Sequence, residues 1–140
     1  MTTSDQPTWS TTEPAGNRGA FRRAVESGDL AAMLQALAPD VIFHSPIVFQ
    51  DYRGREAVAP LLAAVMEIFR DFRYVEELDA PDGTVLRFRA RVGEREVDGV
   101  DMLTFDDAGL VRDFTVMVRP YSGATALRDA MAAKLAAHDK

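Results

Sequence analysis

The sequence predicts an α+β domain, a strongly curved antiparallel sheet with helices packed on its concave face, and three observations carry that expectation. Helical apolar spacing comes first along the chain. Period-2 alternation then dominates between residues 85 and 119, and a glycine-led pair, Gly93-Glu94, joins the two longest alternating stretches. A sheet of this kind curls into a cone and leaves a concavity between sheet and helices, where pockets form.

The helical part opens with Gly19 to Ser27, which buries Phe21 and Val25 and ends at Gly28, a residue suited to the left-handed position after a helix. Asp29 caps a second helix carrying Leu30, Met33, Leu34 and Leu37, closed by Pro39. Val41 to Ser45 reads as a strand stopped by Pro46, followed by a loop from Ile47 to Gly54. Arg55 to Asp71 is a third helix, with Val58, Leu61, Leu62, Val65, Ile68 and Phe69 along its apolar stripe. Phe72 to Leu78 reads as a strand and Pro81-Asp82-Gly83 as a turn.

Next comes the hairpin of Val85 to Val92 and Arg95 to Phe105. A two-residue turn fixes its register, pairing Arg91 with Glu96, Arg89 with Asp98, Ala90 with Val97, Phe88 with Gly99 and Leu86 with Asp101. One face is then a ladder of opposite charges. The other holds Leu86, Phe88, Ala90, Val97, Leu103 and Phe105, with one carboxylate, Asp101, among them. Leu110 to Arg119 forms the last strand, and Thr125 to Ala137 an amphipathic helix with Leu127, Met131 and Leu135 on one face.

A chain of 140 residues supports one domain, placed at residues 18–140 behind a flexible leader, 1–17, whose Ser, Thr and Pro content offers only Trp9 to bury. With 16 basic and 22 acidic residues the net charge is −6, which argues against a nucleic-acid partner. The lack of cysteine excludes disulfides, thiolate metal sites and cysteine nucleophiles. No apolar run reaches the roughly 20 residues of a membrane span, and the leader has no secretory pattern, so a cytoplasmic protein is expected. Metal-ligand spacing, phosphate loops and dinucleotide glycine motifs are absent from the sequence, and cofactor-free chemistry is the expectation.

Three segments together resemble the nuclear transport factor 2-like superfamily, and within it the SnoaL-like branch. They are Phe21-Arg22-Arg23-Ala24-Val25-Glu26-Ser27-Gly28-Asp29-Leu30, then Leu37-Ala38-Pro39-Asp40-Val41-Ile42-Phe43-His44-Ser45-Pro46, then Tyr52-Arg53-Gly54-Arg55-Glu56-Ala57-Val58. The likeness covers about residues 19 to 121. It implies a cone-shaped, cystatin-like fold with an internal pocket, and a homodimer formed through the outer face of the sheet. The superfamily holds ketosteroid isomerases, polyketide cyclases, epoxide hydrolases, dehydratases and non-catalytic binding modules, so fold does not decide activity.

Residue by residue, the resemblance is selective. Gly99 to Gly109 is similar to the ketosteroid isomerase segment whose aspartate stays protonated and donates a hydrogen bond to an enolate oxygen, and Asp101 matches that acid. The isomerase tyrosine falls at Phe21 and its general-base aspartate at Ser45, which argues against that mechanism. The arginine that epoxide hydrolases place two residues before the acid falls at Gly99. A cyclase, needing few other fixed groups, is compatible with Asp101.

The candidate catalytic residues are therefore Asp101 and His44. Burial favours the neutral form of Asp101 and suits an acid or base working near neutrality; the alternative is a structural acid satisfied by a neighbouring group. Strict alternation turns His44 away from Ser45 and Phe43, and only a bulge before Pro46 would bring it inward, to pair with Asp101. The candidate ligand-binding set is Ser45, Phe21, Phe43, Val65, Phe69 and Phe88, together with Leu103, Phe114, Val116 and Val118. The expected function is binding of a small apolar organic molecule, with isomerase, cyclase or dehydratase chemistry next to a carbonyl if the protein is an enzyme. A non-catalytic binding or dimerisation module is the alternative.

Overall fold

The elbow between the first two helices forms where the sequence places it. Residues 18–138 are described by the computed structural model; the leader and Trp9 lie outside them. Helix α1 (Ala20–Ser27) ends at Gly28 with φ 69°, where the Gly28 and Asp29 amides bond back to the Val25 and Ala24 carbonyls. The Asp29 carboxylate then accepts from the Ala32 amide at 3.0 Å and starts α2 (Leu30–Gln35).

Helix α2 is shorter than its apolar spacing suggests. Leu37 and Pro39 belong instead to strand β1 (Leu37–His44), because the Ala36 carbonyl accepts from the Val111 amide and commits the chain to the sheet. The expected loop contains a short edge strand, β2 (Asp51–Arg53). Helix α3 (Arg55–Ile68) stops before Asp71, whose φ of 56° is incompatible with a right-handed helix, and β3 (Phe69–Ala80) starts earlier than the alternation indicates. Strands β4 (Gly83–Val92), β5 (Arg95–Phe105) and β6 (Val111–Arg119) follow, then α4 (Tyr121–His138).

The six strands form one curved sheet in the order β2-β1-β6-β5-β4-β3. The stretch β3 to β6 is an antiparallel meander, whereas β1 joins β6 in parallel, making the sheet mixed. All five hairpin pairs named above occur, with Gly93 at φ 59° in the turn. On the outer face the ladder converges on Asp98, which receives Arg87 at 2.8 and 2.9 Å, Arg119 at 3.1 Å and Arg89 at 3.3 Å. Those guanidiniums, Arg87 foremost, hold the Asp98 carboxyl well below the usual carboxylate range. Among the described residues no helix is long and apolar enough to cross a membrane.

Candidate functional site

The inner face of the sheet carries two apolar clusters rather than one. The first joins Phe21, Phe43, Val58, Leu86, Leu103 and Phe114 beneath α1 to α3. The second joins Phe88, Ala90, Val92, Val97 and Leu127 beneath α4. Among the described residues only Tyr74 and Val116 border both, and a cavity of about 380 Å³ opens in this gap.

Asp101 lies in the wall of that cavity, flanked across the sheet by Leu86 and Val116. It is 6% exposed. Its side-chain partner is Tyr74, whose hydroxyl donates to Oδ2 at 2.8 Å. Burial pushes the Asp101 carboxyl up to about 7, and the Tyr74 hydrogen bond opposes that rise by stabilising the anion. Burial first, then the neighbouring Asp101 charge, raises Tyr74 well above the ordinary phenol value. Near neutrality the pair therefore holds an acid in exchange with its carboxylate beside a phenol that keeps its proton.

Tyr74 reaches Asp101 because of irregularities in β3. Register shifts between Arg70 and Arg73 and again between Tyr74 and Glu76 place Phe72, Tyr74 and Glu77 on the inner side. Tyr74 pairs with Phe88, one row from Asp101, so its ring spans β4 to deliver the hydroxyl. From α1, Arg22 lies 5.4 Å from the Tyr74 ring centre and bonds Glu77 at 2.6 Å, bracing the tyrosine.

Gly99 shapes the neighbouring wall. A Cβ there would lie 2.4 Å from Phe88 Cζ and 2.7 Å from the Met117 carbonyl oxygen, so glycine is what lets the Phe88 ring lie across β5. Phe88 stacks on Phe72 with ring centres 4.9 Å apart and Phe69 closes against both, giving an aromatic wall opposite the helices. Helix α3 contributes Leu61, Leu62, Val65 and Met66, and α4 contributes Leu127, Arg128, Met131, Ala132 and Leu135.

Of the sequence-derived candidates, Phe21, Phe43, Ser45, Val65, Phe69, Phe88, Val116 and Asp101 border the cavity. Leu103, Phe114 and Val118 do not. Phe114 is sealed by edge-on contacts with Phe21 and Phe43, both at 5.1 Å, and Leu103 beside it lies in the same cluster. Val118, opposite Gly99, packs into the second cluster. The Ser45 hydroxyl oxygen accepts from the Ile47 and Val48 amides, shaping the loop at the cavity edge.

His44 is not at the cavity and makes no dyad with Asp101. The irregularity in β1 falls between Leu37 and Ile42 and the register runs on unbroken to His44, so the imidazole lies on the face opposite Phe43, with Nδ1 2.7 Å from Asp51 Oδ1 and Nε2 3.1 Å from Asp113 Oδ2. The hydrogen bond to Asp113, reinforced by Asp51, raises its pKa above the ordinary imidazole value. Among the described residues no group of three His, Cys, Asp or Glu side chains is arranged to hold a metal ion.

The family model of the SnoaL-like domain matches residues 18–114. The chain belongs to the SnoaL-like family. Among solved structures, a steroid delta-isomerase from Pseudomonas aeruginosa is 39% identical, with a TM-score of 0.84, over 92% of this chain and 98% of that one. A protein with a cystatin-like fold from Silicibacter pomeroyi is 36% identical, with a TM-score of 0.79, over 86% of this chain and 87% of that one. A putative SnoaL-like polyketide cyclase from Shewanella denitrificans shares the fold at 16% identity and a TM-score of 0.60, over 79% of this chain and 93% of that one. Among curated proteins none matches the chain.

Proposed function

We propose that this SnoaL-like protein binds a small, flat, apolar organic molecule bearing a carbonyl or phenol-type oxygen, and that Asp101 is the polar group meeting that oxygen. One observation carries the reading: a buried carboxyl, bonded to one phenol, in the wall of a mostly apolar cavity of about 380 Å³. That volume lies in the range of small-molecule pockets. With Tyr74 on Oδ2, the other oxygen, Oδ1, is the one that meets the ligand.

The chemistry this favours is proton transfer next to a carbonyl. The Asp101 carboxylate removes a proton from the adjacent carbon, the electron pair delocalises onto the carbonyl oxygen, and the acid so formed hydrogen-bonds that enolate oxygen before returning its proton to the same or a conjugated carbon. A carboxyl with a pKa of about 7 is populated in both forms at neutral pH, as such a shuttle requires. Phe21 and Ser45 supply neither of the remaining isomerase groups, so the reading does not extend to that complete mechanism.

The partner reading is a cytoplasmic homodimer formed through the outer sheet face. Met102 and Met117 are exposed on that face, on adjacent strands, and Val100 lies opposite Met117. Light scattering of the purified protein checks it: a single-chain mass of 15.4 kDa at micromolar concentration contradicts it.

The ligand reading is tested by fluorescence titration with 2-naphthol and naphthalene against wild type and Asp101→Leu. A hydrogen bond to a buried carboxyl gives 2-naphthol an advantage of roughly tenfold over naphthalene in wild type, lost in the variant. Equal affinities in both proteins, or no binding by wild type, contradict the proposal.

A further inference from the structure

Resting on the ligand reading above, we infer that the preferred ligand is amphipathic, with its neutral oxygen at Asp101 and an anionic group, a carboxylate in the simplest case, held at the cavity mouth by Arg128. Among the described residues that border the cavity, Asp101 and Arg128 alone carry formal charge. They differ in depth: Asp101 is buried, whereas the Arg128 side chain is 57% exposed. The cavity therefore has an acid inside and a cation at its rim.

The position of Arg128 follows from α4. Leu127, Met131 and Leu135 recur four residues apart along the cavity side, and Arg128 and Ala132 form the adjoining row on the same helix. From that row a long side chain covers apolar surface with its stem and keeps its guanidinium in water at the opening. Its ion-pair partner is its sequence neighbour Asp129, at 3.1 Å, with both side chains more than half exposed. Pairs of that kind are weak, so a ligand anion displaces Asp129 at little cost. The next cation on the helix, Lys134, is engaged by Glu67 of α3 at 2.6 Å.

Electrostatics makes this arrangement selective. The protein carries a net charge of −6, and Asp101 adds a partial negative charge inside, so a carboxylate is disfavoured everywhere in the cavity except beside Arg128. A ligand with a neutral oxygen at one end and a carboxylate at the other is thereby oriented in a single direction. The reverse orientation places two carboxyls together in an apolar wall.

The test compares 6-hydroxy-2-naphthoate with its neutral isostere 6-hydroxy-2-naphthamide, and with 2-naphthol, in low-salt buffer. Wild type is expected to bind the carboxylate about fivefold more tightly than the amide. Arg128→Gln removes or reverses that preference, Asp129→Asn enlarges it, and added salt erodes it. Equal binding of carboxylate and amide by wild type, or a preference that survives Arg128→Gln, overturns this inference while 2-naphthol binding upholds the ligand reading. Failure of 2-naphthol itself to bind wild type overturns both.

Discussion

The Tyr74 hydroxyl donates to Asp101 Oδ2 at 2.8 Å, joining the edge strand β3 to the central strand β5 across β4. Because this bond stabilises the anion, it lowers the Asp101 pKa against the effect of burial. Tyr74→Phe removes the donor and is expected to move the Asp101 midpoint upward from about 7, by up to about one pH unit for a bond of ordinary strength. A carboxyl-resolved NMR titration reads the change directly.

Asp101 also sets a pH dependence of stability. Its folded pKa is raised, so the stability it contributes is fully present below the unfolded carboxylate value and is lost as pH rises through about 7. Asp101→Asn abolishes that loss. The variant is expected to match wild type near pH 4 and to exceed it near pH 8, by at most about 4 kcal/mol, in urea unfolding at the two pH values.

His44 works in the same direction by a different route. It fastens β2 to β1 and β6 through Asp51 and Asp113, and its raised pKa makes that contribution complete below the unfolded imidazole value and lost as pH rises through the folded one. His44→Gln is therefore expected to cost more stability near pH 5.5 than near pH 9. Hydrogen exchange at the Tyr52 and Arg53 amides localises the effect to the edge strand.

Gly99→Ala tests the aromatic wall. The new methyl group meets a backbone carbonyl that cannot rotate away and the tip of Phe88, so the ring must turn into the cavity or the strands must part. A loss of about 1–3 kcal/mol is expected, together with weakened 2-naphthol binding. Thermal unfolding and the titration described above measure the two effects.

What the sequence makes legible follows the range of the interactions concerned. The hairpin register is local, because a two-residue turn sets it, and Asp101 falls on the inner face by alternation alone. Alternation also turns His44 outward. The parallel pairing of β1 with β6 joins residues about 70 positions apart and leaves no local trace. Tyr74 was concealed by the two register shifts in β3, although Phe72-x-Tyr74 beside an inward Phe88 is a readable sign of an aromatic pair on the inner face. Leu103 and Phe114 share the periodicity of the cavity residues; only the packing of α1 over them separates core from wall. Arg128 stands on the sequence-visible face of α4, but which cavity that face borders is a tertiary fact.

The central claim, that Asp101 is a ligand-facing acid with a midpoint near neutrality, is tested most directly by NMR titration of its side-chain carboxyl with and without saturating 2-naphthol. The expected result is a midpoint at about 7 in the free protein that moves when the ligand binds. A midpoint near the ordinary carboxylate value, about 4, with a carboxyl resonance indifferent to the ligand, would contradict it.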